Sequence, residues 1–403
     1  MSGGHSEPVL EHERYMARAL ELAERGRGSV SPNPMVGCVI VKDDEVVGEG
    51  YHQRAGEAHA EVLALERAGE RAHGATVYVT LEPCNHHGRT PPCTEALIAT
   101  RVRRVVVASL DPNPVAAGGI ERLRAAGIEV VSGVLRDEAE RLNEVFYTFH
   151  RLERPFVLYK AAMTLDGKIA TRSGQSRWIT SKPARERVQR WRNELDAIAV
   201  GVNTVLLDDP LLTCRLSQGR SPRKVVFDSA ARTPANAKLF EADPQGRAAE
   251  VIVFVTQQAP AARVEALEAR GAKVVVVGSA KGRVDVGEAL AALKARGVTS
   301  LLLEGGGTLA WAFFEARAVD QVAIFIAPKL VGGAGASPLG GLGARTMDEA
   351  LPLEGVRIEH VGSDLLVNGR VRYPANEGAE VALHAAAESK QPPASMHPHE
   401  EGR

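Results

Sequence analysis

Aromatic residues are scarce in this chain, at 4% Phe, Trp and Tyr, and neither charge is in excess, with 49 Lys and Arg against 50 Asp and Glu. Few stacking side chains and no net field argue against a polynucleotide substrate and against an anionic membrane surface. Only a local basic groove stays compatible with that balance. Nowhere does an apolar run approach the ~18 residues of a membrane span, and the opening MSGGHSEPVL lacks a signal-peptide pattern. Four cysteines in 403 residues are too few for a disulfide framework, so a reducing, cytoplasmic setting is expected. What remains is the composition of a globular enzyme, 44% hydrophobic and 25% charged, in a chain long enough for two domains.

Apolar positions at Leu10, Met16, Ala19, Leu20 and Ala23 predict a helix over 8–25, stopped at Gly26. Strands over 36–41 and 46–51 flank Asp43-Asp44, which reads as a hairpin. A helix over 58–69, a strand over 76–81 and a loop at 82–92 follow. Beyond them come a helix to about 99, a strand over 104–108, a helix over 119–126 and a strand over 128–131. This alternation predicts an α/β sheet covered on both faces, closed by a Glu- and Arg-rich helix over 136–150. The first domain is thus expected over 1–150.

Pro155 marks a reset. Strands are expected at 156–163, 195–200, 224–227, 251–255, 274–277, 300–303 and 321–326, with helices at 182–193, 261–270, 287–296 and 308–317. They make a second α/β domain over 155–373 with its own core. From 374 to 403 the composition turns to Ala, Glu, Pro, Ser and His without periodicity, as in a disordered tail. The tail histidines His384, His397 and His399 could bind a metal, although scattered tail histidines are ordinarily inert.

The chemistry concentrates first at AHAEVLAL and TLEPCNHHGRTPPC. His59, Cys84 and Cys93 offer one imidazole and two thiolates, a set that suits tetrahedral zinc and leaves a fourth position for water. Zinc there would acidify the water and make hydroxide available as a nucleophile. Glu61 lies two residues from His59, so both reach one metal only if the first helical turn points end-on at it. A helix start at Cys93 would lower that thiol's pKa. The arrangement follows the zinc-deaminase pattern of His-x-Glu, Pro-Cys and a second Cys, except that eight residues, Asn85 to Pro92, separate the cysteines instead of two. A structural zinc site, or two buried free cysteines beside a solvated histidine, are the competing readings. A structural site normally has a fourth protein ligand, and Glu61 is a poor one. The polar residues of the long loop (Asn85, His86, His87, Arg89, Thr90) could recognise a substrate, while Cys38 reads as a small core residue of its strand.

Together PNPMVGCVIV, GEGYHQRAGEAHAEVLAL, TLEPCNHHGRTPPC and DPNP resemble the deaminase half of the bifunctional riboflavin-biosynthesis deaminase–reductases, across about 1–150. The extended cysteine spacing is that family's own. The resemblance implies a cytidine-deaminase-like three-layer domain, one zinc per chain held by His59, Cys84 and Cys93, and Glu61 as proton shuttle. It implies as substrate a diaminopyrimidinone carrying phosphoribosylamine, which loses ammonia. One departure is Ala117-Gly118-Gly119, where the family has Gly-x-Gly. Asn33 and His52 lie in the matched segments. Asn33 is expected to bind substrate, with turn formation between Pro32 and Pro34 as the plainer alternative; His52 could bind or simply be solvated.

The second half carries KAAMTLDGKIA, continued by SGQSRWITS, then GVNTVLLDDPLLTCR, and LLLEGGGTLAWAFF with three glycines between a strand and a helix. Glycines there let backbone N–H groups approach a phosphate, although a flexible turn fits Gly-Gly-Gly alone equally well. These motifs resemble the reductase half of the same family over 155–373. The resemblance implies a dihydrofolate-reductase-like α/β fold and NADPH. It places Ala162, Trp178, Thr204, Asp208 and Gly306, Gly307, Thr308, Leu309, Ala310, Trp311 and Ala312 at the cofactor, and Ser176, Arg192, Leu212, Arg215 and Glu304 at the substrate. Guanidinium groups at Arg192 and Arg215 suit a ribose 5-phosphate. Trp178 could equally be core. Asp208 is a candidate proton donor, with Asp209 forming the turn before Pro210.

The expected partners are phosphoribosylaminopyrimidine small molecules, with no nucleic acid and no membrane; self-association is compatible with the sequence. Two other functions compete: a nucleotide or tRNA deaminase with an unrelated second domain, and a non-catalytic zinc- and nucleotide-binding regulator. The first predicts a basic, aromatic-rich surface and the second the loss of Glu61, and the composition supports neither.

Overall fold

The computed structural model describes residues 7–88, 91–243 and 245–374. Arg89, Thr90 and, beyond Pro374, the expected tail with its three histidines lie outside the described residues. The first half runs α1 (Glu7–Glu24), β1 (Gly37–Lys42), β2 (Glu45–Tyr51), α2 (Ala60–Ala68), β3 (Thr76–Leu81), α3 (Cys93–Thr100), β4 (Arg104–Ser109), α4 (Gly119–Ala125), β5 (Glu129–Ser132), α5 (Arg136–Leu142) and α6 (Glu144–Arg151). Its strands form one sheet in the order β2-β1-β3-β4-β5, antiparallel where β1 meets β2 and β3, parallel from β3 to β5.

Both faces of this sheet are covered, which is why β1 and β4 are continuous apolar runs rather than alternating ones. Cys38, Ile40, Val105 and Val107 face a core shared with Ala60, Ala64, Leu97 and Leu123 from α2 to α4. Val39, Val41, Val106 and Ala108 face the other way, onto Tyr15, Met16, Ala19 and Leu22 of α1 and Ala139 of α5. The result is the expected three-layer sandwich.

The second half runs β6 (Phe156–Thr164), α7 (Lys182–Glu194), β7 (Ala197–Gly201), α8 (Val202–Asp208), β8 (Arg223–Phe227), β9 (Val251–Val255), α9 (Ala261–Ala269), β10 (Lys273–Val276), a small hairpin β11 (Ser279–Ala280) and β12 (Arg283–Val284), α10 (Val286–Ala295), β13 (Ser300–Leu303), α11 (Gly307–Glu315), β14 (Gln321–Ala327), β15 (Leu353–Val361) and β16 (Asp364–Val371). Nine strands pair in the order β10-β9-β8-β7-β13-β6-β14-β16-β15, parallel up to β14 and antiparallel beyond. Ile198, Val200, Val226, Val253 and Leu302 pack on one face, and Ala197, Ala199, Val225, Ile252 and Leu301 on the other. The two halves touch through ion pairs, among them Arg370 to Glu144 at 3.0 Å and Lys294 to Glu153.

Three features depart from the sequence expectations. The helix over 136–150 is broken at Asn143, whose backbone leaves the helical region (φ −106°, ψ 26°). Its buried side chain accepts the Met35 N–H at 2.7 Å and donates to the Met35 carbonyl at 2.8 Å, a use that periodicity cannot reveal. The segment 202–208 forms helix α8, and β15 with β16 adds two strands that were not expected.

The approach of α2 to the sheet rests on one missing side chain. A Cβ at Gly50 would lie 2.3 Å from the Ala60 carbonyl oxygen and 2.7 Å from the Ala64 nitrogen. Gly50→Ala is therefore expected to push the first turn of α2 outward at a cost of about 1–3 kcal/mol. Urea unfolding of the full chain measures that loss, and elemental analysis should show weaker zinc retention, since His59 and Glu61 begin this helix.

Candidate active sites

His59 is the residue before α2, with extended backbone (φ −75°, ψ 163°), and Glu61 is the helix's second residue. The end-on geometry that the His-x-Glu spacing demands is thus present. Cys84 follows β3, and Cys93 is the first residue of α3. The three ligand atoms lie within 4.8 Å of one another. Tetrahedral zinc, with Zn–S ~2.3 Å and Zn–N ~2.0–2.1 Å, separates nitrogen from sulfur by about 3.5 Å. Here Nδ1 of His59 lies 3.2 Å from Cys93 Sγ and 3.6 Å from Cys84 Sγ. The donor set and its spacing fit the metal.

Electrostatics sort the ionisable groups. Contact with the Cys93 thiol and the His59 ring, together with the Cys93 backbone N–H at 3.4 Å, favours the thiolate at Cys84. Cys93, donating to Cys84 and buried, is pushed up, the reverse of the direction expected from its helix start. The negative sulfur beside it outweighs the helix terminus. Burial raises the Glu61 carboxyl, with His59 opposing. A carboxyl so placed exchanges protons more readily than an exposed one. Cys38 is fully buried in β1, with its thiol raised by that burial, and is a core residue.

His59, Glu61 and Cys84 line a cavity of about 410 Å³ that also receives Asn33, His52, His86, Asp111 and Asn113. His52 is buried, not solvated: its Nε2 lies 3.0 Å from Asn33 Nδ2 and its ring meets His59 edge-on. Within the long cysteine loop, His86 lines the cavity with a buried Nδ1 that has no hydrogen-bond partner among the described residues, whereas His87 pairs outward with Glu95. Asn85 instead accepts the Thr94 hydroxyl. Asp111 and Asn113, both within DPNP, are cavity residues that the sequence motif alone does not single out. Burial pushes the Asp111 carboxyl up to about 6, with Glu82 adding to the shift. Glu82 in turn accepts N–H bonds from Asp111, Gly118 and Ile120 at 3.0–3.2 Å. The shifted glycines find their reason here: Gly118 takes φ +93°, and a Cβ at Gly119 would lie 1.9 Å from the Pro83 carbonyl oxygen.

The second cluster gathers round Glu304, the residue that follows β13, with Arg192 from α7 and Lys160 from the middle of β6. Arg192 and Glu304 form a two-pronged pair at 3.0 and 3.1 Å, and Arg192 also donates to the Thr213 carbonyl. Lys160 of β6 joins Glu304 at 3.7 Å. It was missed because a single cation in an apolar strand reads as an interruption. Burial alone would raise Glu304, yet Arg192 and Lys160 hold it down at about 2. Arg215 stands next to this pair. Burial, then the like charges of Arg192, Arg185 and Arg177, lowers its pKa. Leu212 is buried beside it with φ +55°. Ser176 lies in the same half, half-buried, without a hydrogen bond to this cluster among the described residues.

Thr204, Gly306, Gly307, Thr308, Leu309 and Ala312 surround a separate cavity of about 250 Å³, joined by Ser229, Arg232 and Arg283. Gly306 precedes α11 without a capping side chain, and a Cβ there would meet open space. That bare helix start fits a phosphate of a dinucleotide. Ala310 points instead into the core, and Trp311 packs against Phe314. Ala162 is half-buried in β6. Trp178 is 58% exposed under the Arg185 guanidinium, so it is not core. Asp208 is exposed at the end of α8, its carbonyl accepting from Arg177. Asp209 turns the chain with φ +40°.

Two family models match the chain: the cytidine and deoxycytidylate deaminase zinc-binding region over 10–109, and the RibD C-terminal domain over 155–367. The riboflavin biosynthesis protein RibD of Actinobacillus pleuropneumoniae is 45% identical over 89% of this chain and 95% of its own length. The Escherichia coli protein of the same name is 43% identical over 89% and 99%. Among solved structures, Acinetobacter baumannii RibD superposes with a TM-score of 0.79 at 37% identity, covering 91% of this chain and all of its own. A Thermotoga maritima protein described as a diaminohydroxyphosphoribosylaminopyrimidine deaminase/5-amino-6-(5-phosphoribosylamino)uracil reductase gives 0.78 at 38% identity, with the same coverage.

The depressed Glu304 carboxyl makes a pH-dependent forecast. Its folded-state pKa lies below the ordinary 4.5, so the pair's stabilisation is complete above that pH and is lost as pH falls towards 2. Arg192→Gln leaves a buried carboxylate with only Lys160 and is expected to cost about 3–5 kcal/mol at neutral pH. In urea unfolding from pH 7 to pH 3, the gap between native and variant protein should narrow below pH 4.5.

Proposed function

The chain belongs to the family of bifunctional riboflavin-biosynthesis deaminase–reductases, and from that premise we propose how its two sites divide the work. The protein is a zinc-dependent deaminase joined to an NADPH-dependent reductase. It deaminates 2,5-diamino-6-(5-phosphoribosylamino)pyrimidin-4(3H)-one and then reduces the ribosyl to a ribityl side chain, giving 5-amino-6-(5-phosphoribitylamino)uracil. A nucleotide or tRNA deaminase with an unrelated second domain would not align with these relatives through both halves.

One observation carries the assignment of the first site: the His59, Cys84 and Cys93 cluster opens, through His59 and Cys84, onto the same cavity that the buried Glu61 lines. His59, Cys84 and Cys93 would hold one zinc per chain. When bound, the metal supplies a Lewis acid that brings water in its open position towards neutral pKa. Glu61 takes the proton of the attacking water and delivers it to the departing amino group, so that water enters and ammonia leaves. Asn33, held by His52, and Asp111 with Asn113 line the opposite side and orient the pyrimidine.

At the second site NADPH, when bound, would supply the hydride for C1 of the opened ribose. The bare start of α11, with Thr204, holds the cofactor, and Trp178 and Asp208 flank the approach. Arg215 holds the substrate phosphate, backed by Arg177 and Arg185. Arg192 is committed to Glu304, and this pair with Leu212 shapes the sugar's seat beside Ser176. Four cysteines without disulfide partners, two of them metal ligands, suit a reducing cytoplasm. No helix among the described residues is long and apolar enough to cross a membrane.

A single assay tests both halves: ammonia and NADPH absorbance followed together on zinc-replete protein given the diaminopyrimidinone. Glu61→Gln should keep its zinc and lose about a thousandfold in ammonia release. Arg215→Ala should leave ammonia release intact and raise the reductase KM about tenfold. Undiminished ammonia from Glu61→Gln would overturn the role of Glu61; an unchanged reductase KM would overturn that of Arg215.

A further inference from the structure

The segment between α1 and β1 forms part of the deaminase cavity, since Pro32, Asn33 and Pro34 line it. Its far end is fixed inside the first domain, where Asn143 grips both backbone groups of Met35. Its near end is fixed by the other domain. Ser31 Oγ donates to Asp196 at 2.9 Å and 3.2 Å, to one carboxylate oxygen and then the other. At Gly28 a Cβ would touch Asn193 and Glu194 at 3.4 Å, so the segment also lies against the last turn of α7.

Asp196 is itself held at several points. It is 7% exposed and accepts the Thr299 N–H at 2.9 Å and hydroxyl at 2.6 Å, while its own N–H donates to Ser300. It thereby ties together the beginnings of β7 and β13, two neighbouring parallel strands at the centre of the nine-stranded sheet. A hydroxyl bonded to a buried carboxylate is among the stronger neutral-donor contacts, and it is worth most when the acceptor cannot move. Between the two anchors stands Asn33, whose amide meets His52, and His52 abuts the zinc ligand His59.

We propose that Asp196 of the reductase domain is a positioning residue for the deaminase reaction: through Ser31 it fixes the segment that presents Asn33 to the pyrimidine. The proposal rests on the reading of Asn33 as a substrate contact. Loss of the contact loosens the cavity wall and leaves the metal ligands and Glu61 in place, so substrate binding suffers while the chemical step does not.

The test is made in the full-length, zinc-replete protein. Ser31→Ala removes the bridge and leaves Asp196 its Thr299 partners, so folding and reductase kinetics on 5-amino-6-(5-phosphoribosylamino)uracil should match the native protein. Deaminase KM should rise about fivefold with kcat within about twofold, the size of one net hydrogen bond. Ser31→Thr, which keeps the hydroxyl, should restore KM. Asn33→Ala is assayed beside them. A raised KM for Asn33→Ala with an unchanged KM for Ser31→Ala would overturn the positioning role alone. A raised KM for Ser31→Ala with no effect of Asn33→Ala would uphold the positioning role and overturn Asn33 as the contact it serves. If neither moves KM, both readings fall; a fall in kcat matching the rise in KM would reduce the contact to a structural one.

Discussion

Bringing one imidazole nitrogen and two sulfurs within 4.8 Å of one another is the constraint on which most of the first domain depends. The three atoms come from the residue before α2, the loop after β3 and the first residue of α3. For two helix starts and a strand end to meet at a point, helices and turns must approach the sheet more closely than side chains ordinarily allow. Gly50 under α2 and Gly119 against Pro83 supply that room. The same crowding buries Glu61 and raises its carboxyl, so the ability to carry a proton is a by-product of assembling the metal site.

The second domain meets a different demand, the holding of an anionic sugar phosphate without a net positive surface. Its answer is local. One buried carboxylate, Glu304, takes up Arg192 and Lys160, while Arg177, Arg185 and Arg215 stand near it with no carboxylate partner of their own among the described residues. A chain of balanced charge thus keeps one small basic cluster. That cluster is of the size of a single phosphate.

Layered α/β architecture was legible in the sequence because runs such as Cys38–Val41 and Val105–Ala108 are buried on both sides, a pattern that survives without knowing any partner. The clustering of His59, Cys84 and Cys93 was legible because their residue types are rare and their spacing is local. What escaped was whatever depends on a distant partner. Asn143 reads as an ordinary helical position until Met35, 108 residues away, is brought beside it. Most of β15 is exposed, so its residues carry no alternation to betray a strand. Lys160 looks like a defect in β6 until Glu304 faces it, and Asp111 looks like a turn residue until the cavity closes round it.

Placement within the larger sheet explains why the two domains can be coupled at one site and independent at the other. Asp196 and Thr299 sit where β7 and β13 begin, whereas Thr204, Glu304 and the start of α11 follow where those strands end. The contact with the first domain and the reducing site therefore occupy opposite ends of the same two strands, which are buried on both faces and paired in register. From Asp196 a displacement reaches the deaminase wall through Ser31 and two further residues. To reach the cofactor cavity it would have to move two strands that are buried on both faces. A stiff sheet so arranged gives the deaminase a fixed anchor and keeps the reductase site insensitive to what hangs on it. Joining the two activities in one chain thus has a mechanical consequence beyond colocating consecutive reactions: the domain that acts second supplies part of the frame for the domain that acts first.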